Sequence, residues 1–185
     1  VLRRRIELGV YDRTVRIDDV VENQGFRPTP HAILYHVNFG YPFLDEAIEL
    51  GGDLDESFVA AFNAEDKRPM DDFADYYEDV PTASKDDAAT IMIMNRGLSG
   101  GLCVKLNYSR VSLPLFGVWR AFQSGVYALA LEPARPTDPA GPSEIARFLL
   151  PNETATYRVS VEIGECDGSG PSASTGRVLA GACAT

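Results

Sequence analysis

Tyr157-Arg158-Val159-Ser160-Val161-Glu162-Ile163 places Tyr157, Val159, Val161 and Ile163 on one side of an extended chain and Arg158, Ser160 and Glu162 on the other. Alternation of period two is what a strand with one buried face requires, because successive side chains leave opposite sides of the pleat. The pattern recurs. Ile6, Leu8 and Val10 alternate with Arg5, Glu7 and Gly9, and further strands are expected over 15–21, 32–39, 90–95, 102–108, 115–121 and 126–132. Each run is short and bounded by Gly, Pro or Asn, residues that make turns. Helical signal is confined to one or two turns around Leu44, Ala47 and Ile48, to 73–77, and to 143–148 with Ser143 as a cap. Many short strands with few helices predict an all-β fold, a sandwich or a barrel.

The chain has 185 residues, 45% of them hydrophobic and 10% aromatic, enough to bury a core and to exclude disorder over most of the length. Its 27 acidic residues against 17 basic ones leave a net charge of -10, which argues against nucleic acid or an anionic membrane as partner, since both call for a basic patch. The cluster Arg3, Arg4 and Arg5 is followed at once by Glu7 and reads as a solvated strand face. No apolar run approaches the ~18–20 residues that span a bilayer, and no leader opens the chain, so a cytoplasmic location is expected. Cys103, Cys166 and Cys183 are three cysteines without CxxC spacing, which indicates neither a disulfide framework nor a zinc site. Cys103 reads as a core or pocket thiol, and the roles of Cys166 and Cys183 stay open.

Two regions look loose. Residues 63–88 are rich in acids and form a long excursion between strands, and from 167 onward Gly, Ser, Ala and Thr dominate. The expected organisation is a β-domain over 1–165 and a flexible tail over 166–185.

Chemistry-bearing residues are few. Of the two histidines, His31 follows Pro28-Thr29-Pro30 in a turn, where exposure or capping is expected. His36 lies within the strand Leu34-Tyr35-His36-Val37-Asn38-Phe39, where alternation puts Tyr35, Val37 and Phe39 on one face and His36 with Asn38 on a polar face that lines a cleft. In Val126-Tyr127-Ala128-Leu129-Ala130-Leu131-Glu132-Pro133, the bulky Tyr127, Leu129 and Leu131 share one face. Ala128, Ala130 and Glu132 share the other, leaving room above two alanines beside a carboxylate, and Pro133 is expected to end the strand. A His and a Glu on one concave surface make a general acid and a general base. A buried structural histidine and a surface glutamate are the competing reading. Gly97-Leu98-Ser99-Gly100-Gly101 has GxSxG spacing but no helix after it and so is no nucleophile elbow; no Walker loop, GxGxxG or HExxH motif is present, the two histidines lie on opposite faces, and no metal site is expected. The glycines at 97–101 sit between two strands, as a hairpin turn.

These motifs resemble a known family. The run Leu34 to Pro42, preceded by Glu22-Asn23-Gln24-Gly25-Phe26 and the Pro28/Pro30 turn, resembles the divergent branch of the aldose 1-epimerase (galactose mutarotase-like) superfamily. The run Trp119 to Pro133 is similar to that branch's second signature, and Leu149-Leu150-Pro151-Asn152-Glu153 with the strand after it is similar to the superfamily's closing L-x-P-G-E turn. What the resemblance implies is a β-sandwich, the mutarotase supersandwich, with a sugar on its concave face and no cofactor. His36 would carry over as the acid that protonates the ring oxygen and Glu132 as the base that takes the anomeric proton, interconverting anomers of an aldose. Trp119 is a candidate for stacking on the sugar, with a core role the alternative, and Asn38 and Lys105 are candidates for hydroxyl contacts.

Departures accompany the likeness. Where relatives carry Tyr-Phe-Asn-Leu after the histidine, Asn38-Phe39-Gly40-Tyr41 stands here. Where they carry Gln and Pro-Asp after the glutamate, Ala134, Arg135 and Pro136-Thr137-Asp138 stand. Members of the superfamily are also considerably longer, with upstream strands that contribute an Arg and another His. This chain begins midway through that pattern, so the sandwich is expected to be incomplete at its N-terminal side and to be completed by a missing segment or by a second copy. The expected partner is a small-molecule sugar, with a non-catalytic carbohydrate-binding domain as the alternative function.

Overall fold

The computed structural model describes residues 1–71, 74–77, 80–82, 86–136 and 147–166. Among them the elements run β1 (Leu2–Glu7), β2 (Thr14–Glu22), β3 (Thr29–His31), β4 (Ile33–Leu34), β5 (Val37–Gly40), β6 (Ile48–Gly52), α1 (Glu56–Ala64), β7 (Ala74–Tyr77), β8 (Ala88–Asn95), β9 (Leu102–Ser109), β10 (Leu115–Gln123), β11 (Val126–Arg135), β12 (Arg147–Leu149) and β13 (Thr154–Glu165). One sheet has the order β1-β2-β13-β9-β8-β6, and a second has the order β4-β11-β10-β7 with β5 also on β11. β3 and β12 form a separate ribbon. All these strand pairs are antiparallel.

The two large sheets close on a shared core. Ile91, Ile93, Leu106, Tyr108 and Val159 of the first pack in one cluster with Phe116, Val118, Phe122, Leu129 and Leu131 of the second. Tyr108 and Phe116 stack across the interface with ring centroids 5.7 Å apart. The fold is a β-sandwich, and the predicted alternation is realised on both inner faces. In β13 the buried positions are Ala155, Tyr157 and Val159, after which burial fades and Ile163 is exposed.

Several expectations need correction. Ile6, Leu8 and Val10 carry the right spacing but are exposed, because β1 is the outermost strand of its sheet and the core stops at Ile17 and Val21 of β2. Arg3, Arg4 and Arg5 are exposed as expected, but Arg4 also makes two bonds to Asp19, which is 1% exposed. No helix forms around Leu44 to Ile48, where turns lead into β6, and 74–77 of the helix expected over 73–77 are strand β7, residue 73 lying outside the described residues. Residues 137–146, which hold most of the third expected helix, and 167–185, which hold Cys183 and nearly all of the expected tail, lie outside the described residues.

The helix that does form, α1, was not anticipated. Asp55 caps it, accepting from the amides of Ser57 and Phe58, and Phe58 and Phe62 one turn apart supply its apolar face. The Asn63 side chain then both accepts from Leu50 N and donates to Leu50 O, covering the edge of β6 as another strand would. Among the described residues no helix is long and apolar enough to cross a membrane.

His31 is buried rather than exposed, with Nε2 2.7 Å from the Tyr157 hydroxyl. The hairpin between β8 and β9 forms as expected, with the Asn95 side chain accepting from Gly97 and Leu98 N, and positive φ at Ser99, Gly100 and Gly101.

Cys103 of β9 is buried on the sheet face opposite Leu106 and Tyr108, and burial, with a smaller contribution from nearby Cys166, pushes its thiol up to about 11. At pH 8 a thiol of that acidity is ionised in only about one molecule in a thousand. In native protein Cys103 is therefore expected to resist iodoacetamide, with labelling that climbs toward pH 11, as mapped by peptide mass spectrometry. Rapid alkylation at pH 8 would contradict the buried placement.

Candidate functional site

β11 lies at the centre of the second sheet, and its neighbours decide what surrounds Glu132. On one side it pairs with β4 and β5 in a single register: Ile33 faces Arg135, Leu34 faces Ala134, and Val37 faces Leu131. Continuing that register through residues 35 and 36 sets Tyr35 opposite Pro133 and His36 opposite Glu132.

Pro133 explains why the two strands are interrupted there. An antiparallel hydrogen-bonded pair exchanges two N–H to C=O bonds. Tyr35 N donates to Pro133 O at 3.1 Å, but proline has no N–H with which to return the bond. Pro133 thus does not end β11, as expected, but opens a gap in the ladder one residue from His36, and β11 runs on to Arg135. By alternation His36 and Glu132 form the adjacent non-hydrogen-bonded pair, in which side chains approach most closely.

The approach is direct. His36 Nε2 lies 2.8 Å from Glu132 Oε1. The carboxylate is sunk into the sheet, its side chain 5% exposed, while the imidazole stands at the rim at 44%. A charged group this buried calls for a partner, and the imidazole is that partner. Trp119 of β10 packs against the histidine ring, with ring centroids 5.7 Å apart at 54°. Trp119 lies on the His36 face of β10 and outside the core cluster, while Val118, Arg120 and Phe122 take the core side.

The face can be read as rows across the strands. His36, Glu132 and Gly117 form one row; Asn38, Ala130, Trp119 and Tyr76 the next; Gly40, Ala128, Ala121 and Ala74 the third. Asn38 is exposed, and its amide donates to the His36 carbonyl at 3.4 Å. The third row carries nothing larger than a methyl group. At roughly 4.8 Å between strands, this floor is about 14 Å long. This strip of small side chains, the trough, is bordered by Trp119 and Tyr76 and has the His36–Glu132 pair at one end; it is exposed at Gly40 and Ala74 and buried at Ala130 and Ala121.

Tyr76 and Gly117 were not singled out from sequence. Gly117 is the neighbour of Glu132 on β10, and a Cβ placed on it would come 2.5 Å from the Tyr76 hydroxyl oxygen. The missing side chain is what lets Tyr76 lie over this position. The signal was present, a glycine inside a strand, which marks close approach of another group. Gly117→Ala is expected to push the Tyr76 ring outward with little loss of stability, since that ring is 40% exposed and can move. Ligand affinity at the trough should fall about tenfold, read by calorimetric titration; unchanged affinity would remove Tyr76 from the site.

Lys105 is not brought to this face. It lies on β9 in the other sheet, with Nζ 3.8 Å from Glu162 of β13. Residues of the first and third motifs also prove to be structural. Asn23 donates from its side chain to Leu149 O, and its carbonyl accepts from Asn152 N, so the Glu22-Asn23-Gln24-Gly25 segment ties to the Leu-Pro-Asn-Glu turn away from the trough.

Comparison with solved structures places this fold. The chain superposes with a TM-score of 0.70 and 18% identity on a protein provisionally named aldose 1-epimerase from Klebsiella pneumoniae subsp. pneumoniae MGH 78578, covering 88% of this chain and 46% of that one. A similarly named protein from Escherichia coli K12 gives 0.63 at 15% identity, covering 89% and 60%. A galactose mutarotase-like protein from Clostridium acetobutylicum gives 0.57 at 12%, covering 83% and 53%. At such identities the likeness is one of fold, and the chain spans about half the length of these proteins. No curated protein sequence matches it. Residues 1–163 match the family described as Domain of unknown function (DUF4432). This mutarotase-like β-sandwich, with a His–Glu pair on its open face, therefore belongs to the DUF4432 family.

Proposed function

We propose that the protein is a carbohydrate-binding mutarotase-like enzyme that interconverts the anomers of an aldose at His36 and Glu132. The observation that carries the reading is the 2.8 Å contact between a buried carboxylate and a rim imidazole above a floor of small residues. The ring oxygen and the hydroxyl oxygen of a cyclic sugar are bonded to the same carbon, so an acid and a base that serve them must themselves be close neighbours. Groups on widely spaced strands could not do this.

The step balances within the pair. Glu132 takes the proton of the anomeric hydroxyl as protonated His36 gives one to the ring oxygen. The bond from the anomeric carbon to the ring oxygen breaks and the carbonyl forms. Rotation about the adjacent carbon–carbon bond turns the other carbonyl face toward the chain hydroxyl, and the reverse transfers close the ring. Trp119 offers an aromatic face for the apolar side of a pyranose, and Asn38 an exposed amide for a hydroxyl. Similarity in fold to proteins named for aldose 1-epimerase and galactose mutarotase supports a sugar as substrate.

Anomer exchange in a panel of hexoses and pentoses, followed by saturation-transfer NMR, tests the reading. Exchange above the buffer rate is expected for at least one sugar. Binding without exchange would support a sugar-binding domain instead, and neither would overturn both.

A further inference from the structure

We infer that the hydrogen bond between Tyr35 and Asp19 is a positioning device that fixes the His36 imidazole against Glu132. The inference rests on the acid/base reading of that pair. Its starting point is the gap in the ladder. With Pro133 unable to return a bond, the backbone at Tyr35 is held to β11 by one hydrogen bond where a regular pair has two. His36 is the next residue, at the rim, and an imidazole on a loosely held backbone does not keep a hydrogen-bonding geometry by itself.

What replaces the missing bond comes from the opposite sheet. The Tyr35 side chain points inward and is 4% exposed, and its hydroxyl donates to Asp19 Oδ2 at 2.6 Å. Asp19, on β2, is 1% exposed and is itself held by Arg4 of β1, whose Nε and one terminal nitrogen donate to the two carboxylate oxygens at 2.8 and 2.6 Å. The Arg4 guanidinium also lies 5.5 Å from the centre of the Tyr35 ring. The bonds to Arg4, and secondarily to Tyr35, hold the Asp19 carboxyl below its usual range. Burial, then the bond to Asp19, raises the Tyr35 phenol well above its own, so donor and acceptor roles are fixed. A charged acceptor makes this bond stronger than a neutral one. Tyr35 thus spans the sandwich, anchored at its hydroxyl in one sheet and at its backbone in the other, and His36 inherits its orientation.

Two variants separate positioning from plain stability. Tyr35→Phe removes the hydroxyl and leaves the ring packed and Asp19 still bound to Arg4. Arg4→Met removes the cation and leaves the Tyr35 to Asp19 bond. The chain has two histidines and one tryptophan, so a ring-to-ring NOE between His36 and Trp119 is readily assigned. In Tyr35→Phe this NOE should weaken or broaden, and kcat for anomer exchange should fall by about tenfold or more with KM within about twofold, since misplacement near 1 Å can cost ~100-fold. Arg4→Met should lose more thermal stability yet keep the NOE and kcat. A wild-type NOE in Tyr35→Phe, or kcat losses in both variants that simply follow stability, would overturn the inference. If the wild-type protein exchanges no sugar, the enzymatic reading fails alone, and the NOE comparison still decides whether Tyr35 orients His36.

Discussion

Glu132→Gln is expected to slow anomer exchange by about 10³-fold, within the range for removing a general base, while the folded structure persists. The amide keeps the volume and the acceptor facing His36 and loses only the capacity to take a proton. Its Oε1 sits 2.8 Å from the imidazole in a 5% exposed position, so bulk water has poor access with which to substitute for it. His36→Ala should lose a similar factor, and the double variant little more than either single one, because two groups that act on one proton-transfer step are not additive. Saturation-transfer rates at matched sugar concentration measure all three. Exchange within about threefold of wild type in Glu132→Gln would show that the carboxylate does not act as the base.

The second large effect is on stability. Gly52 ends β6 with φ of +89°, a conformation costly for a residue with a side chain, and a Cβ there would overlap the Thr90 carbonyl oxygen on β8. The backbone of β8 cannot yield as a side-chain tip does, since Thr90 N is bonded to Asp53 and Thr90 Oγ1 to Asn107. Gly52→Ala is therefore expected to cost about 3 kcal/mol, combining left-handed strain with steric overlap. In a domain of ordinary marginal stability that is a large share. Urea unfolding followed by tryptophan fluorescence measures it; a midpoint within error of wild type would mean that β6 and β8 separate more easily than their register implies. The consequence extends to β10, because α1 follows this turn and Glu65 beyond it forms an ion pair with buried Arg120, between Trp119 and Ala121 of the trough.

Much of this was legible because both sheets bury one face. Period two alone separates Leu129 and Leu131 from Ala130 and Glu132, and Val37 and Phe39 from His36 and Asn38, and the structure keeps those divisions. What alternation does not carry is which strands adjoin. Lys105 has the spacing of an outward residue in a good strand, yet its sheet is the other one. Nor does alternation reveal edges: Ile6 has the pattern of a core residue, and only the place of β1 at the margin of its sheet leaves it 62% exposed. Helix α1 was hidden by its acid-rich surroundings, although Asp55 and the Phe58/Phe62 spacing mark it once the strands on either side are known. Tyr76 was obscured for a related reason, since it lies in the acidic excursion and joins the site only through the pairing of β7 with β10.

The unbroken register of residues 33–40 against 128–135 sets a rule of parity for changes in chain length. Gaining or losing one residue just before His36 would exchange the imidazole for a neighbour of the opposite face and turn it toward the core. Length changes in the turn at Gly97 to Gly101, or between β7 and β8, would leave the pair of strands that bear His36 and Glu132 in phase. Variation by insertion and deletion should therefore be tolerated across the loops of the sandwich and excluded from a short stretch around position 36, where the unit of tolerance is two residues and never one.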